Sequence, residues 1–184
     1  EQYDAVLSLL AASEKMWRAR IYRKTAKACF VQEQREPALQ AYAEAEKAMG
    51  QAPGENVEEW YREWLQIQLE RNWAFYAMNK VEEIRASIEQ TRPVLEQHGS
   101  PAQRAIFFTS LVLLSQRIHR YVNSTEDIAH AETALAAAQE SGDLRGIAQS
   151  HWILGVALLL RSDLAAAEVH LQTSLRIVEQ VGDM

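Results

Sequence analysis

Cysteine is almost absent from this chain. Cys29 stands alone among 184 residues, which excludes an internal disulfide and a cysteine-rich metal site and fits a reducing, cytoplasmic setting. Glycine and proline are scarce too, at 7 and 4, few for a chain built from many strands and turns. The most apolar run, residues 152–160, has about half the length a helix needs to cross a bilayer, and Glu1 opens the chain with no signal-like segment. Positive charge is in the minority: 19 Lys and Arg against 25 Asp and Glu leave a net charge of -6. That balance argues against direct binding to nucleic acid. Catalytic signatures are missing as well. No glycine-rich phosphate loop, His-Glu-x-x-His or Gly-x-Ser-x-Gly occurs, so the expectation is a non-enzyme without cofactor or metal.

What fills the chain is helix former, chiefly Ala, Leu, Glu, Gln and Arg. Residues 108–143 and 148–183 superimpose without a gap at an offset of 40 (148 minus 108). Leu114 falls on Leu154, Ser115 on Gly155, Ala134-Leu135 on Ser174-Leu175, and Gly142-Asp143 on Gly182-Asp183. A period of this size in helix-forming sequence means stacked helical hairpins, each burying its apolar face on the next. Punctuation bounds the later helices. Ser124 or Thr125, Asp143 and Ser162-Asp163 suit N-caps, and Gly142 suits the left-handed position after a helix. Helices are predicted over 102–122, 125–141, 144–161 and 163–181.

The first half is less regular. Helices are predicted over 57–78 and onward to His98, with Pro93 expected to kink the latter. Another is predicted over 37–49, with Pro37 at its first position. Upstream lies one long helix or two abutting ones, with a break near Trp17-Arg18. The chain ends at Gly182-Asp183-Met184, where the pattern would begin another helix, so it reads as a fragment of a longer protein.

Small residues at two crossing points, with large ones between, make these spacings resemble the tetratricopeptide repeat. Leu154-Gly155, Leu158, Ala167, Leu171 and Ser174 fit its template, as do Ala26, Cys29, Ala38, Tyr42 and Ala45. Leu114-Ser115, Ile118, Ala131 and Ala134 fit moderately, while Asp127 and Asn72 depart where a small apolar residue is expected. The resemblance implies an all-α, right-handed α–α superhelix. Its units would be a partial one at 1–16, then 18–50, 55–98, 101–141 and 144–181. Residues 60–68 and 92–104 also look like repeat regions of multidomain bacterial signalling proteins. That likeness implies a regulatory or sensor arm.

In this repeat class the first helix of each unit lines a concave groove. The register then assigns Arg20, Arg23 and Lys27 to a basic end, Trp73 and Tyr76 to an aromatic middle, and Gln116, His119, Arg120 and Trp152 farther on. Such a groove would bind a peptide, partner domain or effector, with acidic residues and large apolar anchors. The alternative is self-association into a homodimer through exposed repeat ends. Among the histidines, His130 and His170 sit one repeat apart, too far to share a metal.

Overall fold

The computed structural model describes residues 14–54 and 56–182, which are all-helical, with no strand. In order the helices are α1 (Lys15–Val31), α2 (Arg35–Met49), α3 (Val57–Ala77), α4 (Val81–His98), α5 (Pro101–Ile118), α6 (Thr125–Ser141), α7 (Leu144–Leu160) and α8 (Leu164–Gly182). Residues 1–13 of the expected leading partial unit lie outside the described residues.

Local chemistry explains where the helices start. Ser124 and Asp127 form a capping box on α6, and Ser100 with Gln103 forms one on α5, whose first residue is Pro101. The Asp143 carboxylate accepts from the backbone N–H of Arg145 and Gly146 to start α7, and Asn56 accepts from Glu59 to start α3. Gly142 ends α6 at φ 72°, a conformation that costs glycine little.

Three expectations are corrected. Helix α5 stops at Ile118 rather than 122, because Arg120 and Tyr121 turn left-handed (φ 51° and 66°) and the Tyr121 N–H closes onto the Gln116 carbonyl at 2.8 Å. Asn123 then donates to the Ala157 carbonyl at 3.1 Å, tying this loop to α7. Helix α1 begins at Lys15 and runs through Trp17-Arg18, so no break falls there; α4 is one helix with Pro93 inside it, as expected. Helix α2 begins at Arg35, so Pro37 is its third residue and still sits in the turn that needs no intrahelical donor.

Each helix touches only helices one or two places away in the chain. Consecutive pairs make hairpins, and α1, α3, α5 and α7 also touch in succession. The apolar interior has two large clusters beside a small one of Ala105, Ala137 and Ala138. Tyr42, Trp64, Leu65, Ile67, Ile84 and Phe107 belong to one cluster, and Val112, Leu113, Leu135, Ile153 and Leu154 to another. Tyr76 packs against both. The two departures from the repeat template are both hydrogen-bonded. Asp127 serves its capping box, and Asn72 donates to Ser110 Oγ at 3.2 Å.

Close approach sets the α7–α8 crossing. A Cβ at Gly155 would lie 2.8 Å from Leu171 Cγ and 3.2 Å from its backbone nitrogen. Ser174 Oγ reaches the Ala148 carbonyl at 2.7 Å across the same interface. Replacing Gly155 with Ala should therefore cost ~1–3 kcal/mol from overpacking, outweighing its better helix propensity. Urea unfolding of Gly155→Ala against wild type measures this.

Candidate functional site

Helices α1 and α7 do not touch, yet residues of both line one cavity of about 520 Å³. Lys27, Phe30 and Val31 form the α1 wall, and Arg145 and Gln149 the α7 wall. Gln66, Glu70 and Trp73 of α3 and Ile106 and Thr109 of α5 lie between. The first helices of all four hairpins thus share one concavity, aromatic and aliphatic with polar groups spaced along it. Lys27 and Arg145 are exposed and take part in no ion pair among the described residues.

The end expected to be basic is neutralised. Arg20 donates to Glu59 at 2.6 Å and to Glu63 at 3.4 Å, and Arg23 donates to Glu63 at 2.6 Å and to Glu70 at 3.0 Å. Glu59, Glu63, Gln66 and Glu70 fall at spacings of four, three and four, one stripe of α3 facing the arginine stripe of α1. Gln66 donates to Glu70 at 2.8 Å and continues the network. Burial alone would lower the Arg23 pKa, but hydrogen bonds and attraction from Glu63 and Glu70 raise it above its ordinary value. Arg20 and Arg23 therefore hold α1 to α3, and they border a separate polar pocket with Asn56, Arg62 and Gln103. Of that trio Lys27 lines the shared cavity, with no ion pair among the described residues.

The other assigned residues disperse. Trp73 lines the cavity, and its ring meets Tyr76 edge-on at 6.2 Å between centroids. Tyr76 is a packing residue instead. Its ring lies 4.0 Å below the Arg117 guanidinium, which also donates to the Tyr76 carbonyl at 3.0 Å. Burial, with a hydrogen bond between its hydroxyl and Tyr121, pushes its pKa up to about 12. Gln116 is buried and cannot meet a ligand. His119 and Arg120 lie in the turn after α5, exposed, with His119 bonded to Ser115 at 3.0 Å. Trp152 lines a different groove, between α7 and α8.

Sequence reasoning passed over Glu63 and Glu70 of α3 and over Arg145. Matched spacing on α1 and α3 was the available signal for the acids. The fold also brings together a pair of which the sequence showed no sign: His151 and His170 meet across α7 and α8 with Nδ1 atoms 2.9 Å apart. One ring must donate and the other accept. Burial and the neighbouring His170 hold the His151 pKa below its ordinary value. His130, by contrast, stacks near Phe108 at 6.0 Å, apart from this pair.

Comparison with known proteins yields a fold and no more. No family model and no curated protein sequence matches the chain. The crystal structure of BtubC (BKLC) from P. vanneervenii is similar, with a TM-score of 0.60 at 19% identity over 90% of this chain. The likeness is one of fold. This chain spans 65% of that structure's length. No described helix is long and apolar enough to cross a membrane.

Two outcomes test these contacts. Glu63→Ala removes the carboxylate that Arg20 and Arg23 share, leaving each with one acidic partner, Glu59 and Glu70, and should cost ~2 kcal/mol. Combined with Arg23→Ala it should cost at least ~1 kcal/mol less than the sum of the single variants, as read by chemical denaturation. The histidine pair gives a pH signature. A folded pKa below 6.5 means that the unfolded chain takes up the proton first as pH falls, so stability is full above pH 6.5 and declines below it. Melting temperatures at pH 7.5 and 5.5 should differ less in His151→Gln than in wild type.

Proposed function

We propose that this chain is a helical-repeat binding module of tetratricopeptide type. Its hairpins wind as a right-handed superhelix whose inner wall holds a peptide, a partner domain or an effector. On this reading it is the regulatory arm of a cytoplasmic bacterial signalling protein, and it acts by binding rather than by catalysis. One observation carries the proposal: α1 and α7, which make no contact, border the same 520 Å³ concavity. A bundle closed on itself would fill that space with side chains. Lys27 and Arg145 leave positive charge at opposite walls, and Trp73, Phe30 and Ile106 supply apolar surface between them. An extended or helical peptide with an acidic residue beside a large apolar one matches this arrangement.

Selection of a displayed random-peptide library on the immobilised chain tests the assignment. Enriched peptides should pair acidic with aromatic or large aliphatic residues. Trp73→Ala should weaken them about tenfold, the scale of a lost interface anchor. Lys27→Glu should weaken them further at low salt than at high salt. Arg120→Glu, outside the cavity, should leave them unchanged. Peptides that bind Trp73→Ala and Lys27→Glu as tightly as wild type would place the working surface elsewhere.

A further inference from the structure

Buried hydroxyls in a helical protein are seldom left without a partner. In this chain Thr25, Thr91, Ser110, Thr133 and Thr173 each donate to the carbonyl four residues back in their own helix, at 2.7–3.0 Å. Thr109 of α5 and Ser150 of α7 do not. They are 4% and 3% exposed, and neither side chain makes a hydrogen bond among the described residues. Tyr42 of α2 is a third case: it is 2% exposed, and its hydroxyl has no partner either. All three side chains line the concavity that α1 and α7 share, and none of the three oxygens is closed off by protein.

A buried hydroxyl without a partner costs free energy unless the space it faces supplies one. Here three of them, on three different helices, open on one cavity. Burial, and after it the neighbouring Glu70 carboxylate, push the Tyr42 pKa up and keep its hydroxyl a proton donor. Gln149 stands one 40-residue offset after Thr109. It adds an exposed carboxamide to the same wall, also without a hydrogen bond, with donor and acceptor together. Hydrogen-bonding groups therefore recur across the cavity, beside the apolar surface of Trp73, Phe30 and Ile106.

We propose that the ligand of this cavity is a peptide segment bound in extended form, its main-chain N–H and C=O groups hydrogen-bonded by Tyr42, Thr109, Gln149 and Ser150. This rests on the reading of the concavity as the binding surface and decides between its two peptide forms. An α-helix uses its main-chain groups on itself, so it would cover the three hydroxyls and leave them unpaired. An extended segment brings a free donor and acceptor at each residue. Those groups lose water on entering the cavity and need replacements. The hydroxyls hold the main chain whatever the side chains are, while Lys27, Arg145 and Trp73 select among side chains.

The probe is the most enriched peptide of the display selection, synthesised with a fluorescein label and titrated by anisotropy. Tyr42→Phe, Thr109→Val and Ser150→Ala each remove one oxygen and nearly preserve shape. The free chain gives those oxygens no partner, so circular dichroism melts should match wild type. Affinity should nevertheless fall about three- to tenfold in each variant, the scale of one hydrogen bond. On the ligand side, N-methylation of single main-chain nitrogens should weaken binding at two or more positions. Helix-favouring α-aminoisobutyric acid at alternate positions should weaken it as well. A peptide that responds to Trp73→Ala and Lys27→Glu but binds all three hydroxyl variants like wild type would overturn the proposal and leave the cavity reading standing. Tighter binding with α-aminoisobutyric acid would do the same and assign a helix. Lowered melts in the hydroxyl variants would make those groups structural, again against the proposal. Selected peptides that ignore Trp73→Ala and Lys27→Glu would overturn both readings.

Discussion

Helices can lie as close as α7 and α8 only where one of them has almost no side chain. Gly155 provides that place, with Leu171 against it, and the small residues Ala26, Ala45 and Ala131 are fully buried in the earlier hairpins. The architecture depends on this constraint. Small residues let backbones approach, large neighbours fill the flanks, and the crossing they permit sets where each following helix begins. The interior needs little volume per hairpin as a result. Its alanines occupy positions where a larger residue would push two helices apart.

Charge has a different task from the one its sequence pattern suggests. An arginine stripe on one helix and a glutamate stripe on another look like two solvated faces when each helix is taken alone. Brought together, Arg20 and Arg23 meet Glu59, Glu63 and Glu70, and the charges fix the rotation of α1 against α3. An isolated surface pair contributes little, whereas a shared, partly desolvated network makes any wrong rotation expensive. Lys27 and Arg145, which line the cavity, take part in no ion pair among the described residues.

Much of the local structure was legible beforehand because its causes are local. Ser124, Asp143 and Gly142 act within a turn of where they stand, so caps and helix limits could be read from a few adjacent residues. The helix limits at 125–141 and the N-cap of α7 came out in this way. Contacts between helices were not legible in the same manner. Whether Arg23 faces solvent or Glu63 depends on an angle between helices that are 40 residues apart in sequence. The meeting of His151 with His170 and the burial of Gln116 have the same origin. Helix α5 ended early for a reason also hidden in sequence, since Asn123 is held by the Ala157 carbonyl of a helix that comes later.

Contacts confined to near neighbours have a mechanical consequence. Among the described helices, tension applied between α1 and α8 is relayed through near neighbours, because no direct contact joins the distant helices. The apolar interior is divided, and Tyr76 with Arg117 lying over its ring marks the junction of its two large clusters. A load would therefore be met by successive yielding, one hairpin giving way while others hold.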